Sequence, residues 1–136
     1  MAYDICVYRD IDGSYPFYEW IKKKRIQKNQ LAKFNRQIDR LHINGESLRN
    51  DPLSDCGRTG LSKFKIHGNV QLRPLLCVVY GDNYHADKTD LCYVFLNGCI
   101  EKDNEFIPGN ARDVAESFKA LMLKDISNRK RLYDRP

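Results

Sequence analysis

Apolar and polar positions change period several times along the chain, and each change marks an element. Asp4 to Tyr8 alternates and carries the β-formers Ile5 and Val7, which predicts a first strand closed by Asp12 and Gly13. A helix follows: Ser14 is a candidate N-cap, Pro16 suits a first helical turn, and Phe17, Trp20 and Ile21 recur at helical spacing. Leu31, Phe34, Ile38 and Leu41 then step by three and four, giving a second helix whose apolar stripe lies opposite Lys33, Arg36 and Arg40 and which Gly45 ends. Glu46 to Thr59 holds Pro52 and Gly57 without a sustained period and is expected to be a loop.

Two strand patterns meet at His67, Gly68 and Asn69. A two-residue loop sets Arg73 opposite Phe64 and mixes the faces. A three-residue loop pairs Ile66 with Val70, Lys65 with Gln71, Phe64 with Leu72 and Lys63 with Arg73, so each face is chemically uniform. That register sends Phe64, Ile66, Val70 and Leu72 to the core and gathers Lys63, Lys65, Gln71 and Arg73 on a polar face. Pro74 cannot donate to a ladder, which predicts an edge or a bulge near Arg73. Gly81 to Lys88 is a polar turn, and the apolar run within Asp90 to Asn97 predicts a central strand. Asn110 is positioned to cap a last helix with the stripe Ala111, Val114, Ala115, Phe118, Leu121 and Met122. Arg129, Lys130, Arg131 and Arg135 follow as a basic tail from about residue 124. The expected fold is α+β: a twisted, mostly antiparallel sheet of 4–5 strands, two N-terminal helices against one face and a C-terminal helix completing the core.

Composition narrows the class. The 136 residues suit one domain, and 42% apolar with 30% charged residues fits a folded, soluble chain. No apolar run approaches a membrane span, and Met1 to Cys6 lacks a signal-peptide pattern, so a cytoplasmic protein is expected. Cys6, Cys56, Cys77, Cys92 and Cys99 are odd in number and fall in apolar runs, which predicts reduced core thiols. Their spacing, and that of His42, His67 and His85, gives no zinc pattern, so neither a metal nor a small-molecule cofactor is expected.

The net charge is +5, and its distribution is uneven. Residues 22–40 hold Lys22, Lys23, Lys24, Arg25, Lys28, Lys33, Arg36 and Arg40 against Asp39 alone, a local charge of +7. Such a stripe suits RNA or another polyanion. The competing reading is the solvated side of a helical pair.

Several local marks recur in order: Pro16, Phe17, Glu19 and Trp20; Ile38, Asp39, Arg40, Leu41 and Gly45; Gly60 and Leu61; Val70, Gln71, Arg73, Pro74 and Leu75; then Glu101, Lys102, Phe106 and Pro108. With the element order, these marks resemble the RelE/ParE toxin superfamily, and within it the HigB-like, phage-derived branch, over about Ile5 to Asp125. The resemblance implies a metal-independent endoribonuclease that cuts translated mRNA at the ribosome and is silenced by a helix-turn-helix antitoxin. It also leaves open a non-enzymatic binding module of the same fold, acting on a host protein or RNA, and a gyrase-directed toxin of the ParE kind. Lys65 stands where the family has Arg, which keeps the charge and loses the bidentate fork.

Cleavage of this kind needs a base for the 2′-OH, cations for the charge building on the phosphate, and an acid for the leaving oxygen. Arg73 is the candidate phosphate clamp, because its guanidinium matches two phosphate oxygens. Lys65 and Lys63 would neutralise charge beside it, and His67 is the candidate acid or base. Lys22, Lys23, Lys24, Arg25, Lys28, Lys33, Arg36 and Lys102 are the candidate RNA contacts. Tyr80 and Tyr93 are candidates for stacking on bases or supplying a hydroxyl, though the apolar neighbours of Tyr93 favour the core. Trp20 is read as packing.

Overall fold

The computed structural model describes residues 3–23, 26–49, 52–80 and 91–135. They form β1 (Asp4–Tyr8), α1 (Pro16–Lys23), α2 (Lys28–Asn44), a 3₁₀ turn (Gly45–Leu48), β2 (Leu53–Asp55), β3 (Ser62–Phe64), β4 (Gln71–Tyr80), β5 (Leu91–Lys102), β6 (Glu105–Ile107), α3 (Ala111–Lys124), the single turn α4 (Ile126–Arg129) and β7 (Lys130–Leu132). Lys24, Arg25 and the turn expected over 81–88 lie outside the described residues, as does the side chain of Tyr80.

The α+β class is as expected, but among the described residues the sheet has seven strands rather than four or five, in the order β2-β3-β4-β5-β1-β7 with β6 also on β5. Strands β2, β6 and β7 are three residues each, too short to display a period in sequence. One of them lies inside the segment expected to be loop. Another takes up the expected basic tail: β7 pairs antiparallel with β1, Tyr8 opposite Lys130 and Cys6 opposite Leu132. Tyr133 continues it, its N–H donating to the Ile5 carbonyl and its hydroxyl to Asn35, both at 2.9 Å.

Helices cover both sheet faces, and alternation along the strands divides the core accordingly. Ile5, Val7, Phe64, Leu72, Leu76, Tyr93 and Phe95 face α1 and α2, where they meet Phe17, Ile21, Phe34, Ile38 and Leu41. Tyr8, Leu75, Cys77, Val94, Leu96 and Cys99 face α3, against Ala111, Ala115 and Met122. Phe95 anchors the first layer, with ring centroids 5.2 Å from Phe17, 5.4 Å from Phe34 and 5.7 Å from Phe64. All five cysteines are free and buried.

Capping differs from expectation in detail. Gly45 ends α2 with φ 55°, a left-handed conformation that suits glycine. Ser14 does not cap α1, because its amide and hydroxyl both donate to Asp12, at 2.9 and 2.6 Å. Asn110 stands at the start of α3 without a side-chain capping bond.

The β3–β4 hairpin is displaced by two residues from the expected register. Ile66 pairs with Leu72, Lys63 with Leu75 and Ser62 with Leu76, so residues 67–70 form the connection to β4. An even shift preserves the faces, which is why Phe64, Ile66 and Leu72 are still buried; Val70 falls into the turn and is 45% exposed. The longer turn is held by α2: the Gln30 side chain donates to the Val70 carbonyl at 2.8 Å, and Lys33 to the His67 carbonyl at 3.2 Å.

A bulge does lie close to Pro74. Leu75 pairs with Asn97 but Leu76 with Phe95, so Leu96 is the extra residue. Pro74 itself sits opposite Gly98, in the interior of the sheet rather than at an edge. Trp20 packs over Gly98 so closely that a Cβ there would lie 2.2 Å from its ring. Gly98→Ala should therefore force Trp20 off its seat and cost about 1–3 kcal/mol. Thermal melts of Gly98→Ala should show the loss, while Gly109→Ala, whose nearest neighbour is at 4.0 Å, should melt like the parent.

Candidate nucleic-acid interface

The polar face of the hairpin turns out to be an internal ion cluster. Arg73 Nε donates to Glu101 Oε1 at 2.7 Å, and Lys63 Nζ reaches the same oxygen at 3.2 Å. Arg73 is only 6% exposed, and its Nη1 donates to the Leu72 carbonyl at 2.9 Å. β5 delivers Glu101 because it runs on past the bulge and sets that residue opposite Gln71. β6 and the start of α3 close over the cluster: the Phe106 ring lies 5.3 Å from Lys63 Nζ and 5.0 Å from the Arg112 guanidinium. Arg112 is fixed in turn by donating to the Cys56 carbonyl at 2.9 Å. The expectation that Arg73 faces solvent is corrected by this geometry, since its partner and its cover come from segments remote in sequence.

Burial pushes the Glu101 carboxyl up, but hydrogen bonds from Arg73 and Lys63, with their charges, outweigh it and hold the group below the ordinary glutamate value. Behind the cluster the Cys99 thiol donates to the Arg73 carbonyl at 3.4 Å, and burial first, then nearby acidic groups, pushes it up to about 12. It is an inert core thiol.

The other residues assigned to chemistry separate. Lys65 lies one residue past β3, half-buried, on the Lys63 side by alternation, with its backbone N–H bonded to the Pro52 carbonyl at 2.9 Å. His67 stands apart, exposed in the turn, its Nδ1 3.0 Å from Gln71 Oε1. Tyr93 is fully buried, edge-on to Tyr3 with centroids 6.1 Å apart.

The residues assigned to RNA contact lie on the opposite side of the sheet. Lys22 and Lys23 end α1, and Lys28, Lys33 and Arg36 are exposed along α2. Lys102 is exposed two positions beyond Ile100, which packs against the α1/α2 layer, so alternation places it on that same side. Among the described residues none of these six forms an ion pair with a carboxylate. Asp39, the lone acid in the stripe, is taken by Arg135. The chemistry available is thus divided: a cluster under α3 in which two cations share one carboxylate, and, on the α2 side, exposed cations with no carboxylate partner among the described residues.

Two participants escaped sequence reasoning. Glu101 was legible only as a residue after the central strand; nothing local marks it as the partner of Arg73. Gln30 did leave a signal, since it takes a position in the buried stripe with Phe34, Ile38 and Leu41, where an amide needs a specific partner. Comparison with protein families, with curated proteins and with solved structures finds no match to this chain.

Arg73→Ala should cost about 2–3 kcal/mol, as expected for removing a buried charged hydrogen-bond partner, rather than the small change of an exposed strand residue. Denaturant unfolding of both proteins measures it. Because the Glu101 pKa is depressed in the fold, its stabilisation is present above the unfolded value near 4.5 and is lost as pH falls through the folded value. The melting temperature should therefore drop below about pH 4, with a smaller drop in Glu101→Gln.

Proposed function

We propose that the chain is an RNA-directed toxin of the RelE/HigB-like kind, cytoplasmic, acting on translated mRNA at the ribosome and silenced by a helix-turn-helix antitoxin. The observation that carries the proposal is the set of exposed cations on the α2 side of the sheet that have no carboxylate partner among the described residues: Lys22, Lys23, Lys28, Lys33, Arg36 and Lys102. A surface of this kind tracks a phosphate backbone and needs no metal or small-molecule cofactor to do so. No helix among the described residues is long and apolar enough to cross a membrane.

In this reading mRNA cleavage relies on His67 for proton transfer, because it is exposed in the turn beside the basic face. Arg73 and Lys63 then support the hairpin through Glu101 instead of gripping the scissile phosphate. A second reading, RNA binding without cleavage by a module of the same fold, is favoured by that engagement of Arg73 and Lys63.

Two measurements separate the outcomes. Affinity for single-stranded RNA should fall steeply with salt, and Lys33→Gln with Arg36→Gln should lower the log–log slope by roughly 0.7 for each phosphate no longer neutralised. Induction of the chain alone should arrest growth and shorten translated mRNA, with His67→Ala abolishing the cuts. Arrest with intact mRNA selects the binding module, DNA-damage signalling without cuts selects a gyrase-directed toxin, and salt-independent RNA binding removes both RNA readings.

A further inference from the structure

The basic face surrounds a pocket that none of these roles uses. It lies between the start of α2 and the hairpin turn, has a volume of about 250 Å³, and is lined by Ile26, Gln27, Gln30, Asn69, Val70, Leu72 and Ile100. Ile26, Val70, Leu72 and Ile100 supply an apolar floor. Val70 is 45% exposed there, an apolar side chain that the fold leaves uncovered.

The rim is made of amides. Gln30 is buried and committed through its Nε2 to the Val70 carbonyl, which fixes the turn against the helix. The same contact is close at Gly68, where a Cβ would come within 2.6 Å of Gln30 Nε2. Gln27 and Asn69 are exposed, and among the described residues their side-chain amides hydrogen-bond to nothing. Each offers a carbonyl acceptor and an NH₂ donor on one planar group.

We propose that this pocket takes one unstacked nucleobase of a single-stranded RNA. The proposal rests on the RNA-directed reading and names the subsite within it. The apolar floor packs on the face of the ring, while Gln27 and Asn69 meet the donor and acceptor groups on its edge, the part that single-stranded RNA leaves open to readout. At about 250 Å³ the cavity is below the ~300–1,000 Å³ of pockets that enclose drug-sized ligands, which fits one planar ring system with its ribose and phosphate outside. Those phosphates run where the cations are: Lys28 follows Gln27, Lys33 reaches the turn carbonyl of His67, and Lys102 lies beyond Ile100. Charge thus selects the polyanion, and the amide-rimmed pocket selects a chain whose bases are free.

Fluorescence anisotropy with the full chain and a labelled single-stranded RNA octamer tests this, using an abasic ribose-phosphate octamer and the duplex form as comparison ligands. The wild type should bind the octamer more tightly than either. Gln27→Ala with Asn69→Ala, both at exposed positions, should weaken octamer binding by about tenfold, as expected for losing one or two hydrogen bonds, and should leave abasic binding unchanged. Lys28→Gln, which removes a cation without touching the turn, should weaken both ligands alike. Equal wild-type affinity for the octamer and its abasic form, or an unaltered octamer affinity in the double variant, overturns the base pocket while leaving the RNA-directed reading standing. If the wild type binds neither strand at low salt, that underlying reading falls as well.

Discussion

Through the middle of strand β5 neither side faces water. From Cys92 to Cys99 every residue is buried, against α1 and α2 on one face and α3 on the other, with β4 and β1 alongside. Each large apolar side chain enclosed this way stabilises the fold by roughly 1.5–3 kcal/mol, far more than any surface ion pair supplies. The strand therefore fixes the rest. β1 runs parallel to it in the register that sets Ile5 opposite Tyr93 and Val7 opposite Phe95, so that all four join one layer, and its own bulge at Leu96 lies where β4 pairs on past Pro74. Glu101 and Lys102 emerge where β5 ends, on opposite faces of the sheet.

That last consequence sorts the charges of the molecule. Glu101 points to the α3 side and draws in Arg73 and Lys63, closing a cluster in which one carboxylate holds two cations under Phe106. Lys102 goes to the α2 side and adds to cations that have no carboxylate partner among the described residues. Inside the cluster Glu101 offsets one of the two positive charges at short range, and all three groups are largely shielded from solvent. On the other side the charges are open to counterions and to any phosphate backbone, and they act only as far as screening allows. The RNA-directed proposal concerns the open side.

Sequence periodicity made much of this legible. The stripe of α2, the stripe of α3 and the continuous apolar run of β5 each exceed one or two turns or pleats, so their burial was readable from spacing alone. The hairpin register was not, because a period of two cannot separate registers that differ by two residues; the decision lies in Gln30 and Lys33, which bind the turn from another element. The burial of Arg73 was hidden for a similar reason, since Glu101 arrives only through the β4–β5 ladder and the cover only through β6 and α3. Three-residue strands such as β2 and β7 leave no period to detect, so the basic tail gave no sign that Tyr133 would dock against Asn35. The candidate site was half legible: its cations were plain in the composition of residues 22–40, while the amides and apolar floor beside them come from three separated segments.

If RNA meets the α2 side of the sheet and not the Arg73 cluster, the contact face can be read directly. Ultraviolet cross-linking of a single-stranded RNA to the intact protein, followed by peptide mass spectrometry, does so. Adducts are then expected within residues 22–23, 26–36, 67–71 and 100–102. Adducts concentrated on Lys63, Arg73, Phe106 and Arg112 would contradict the proposal.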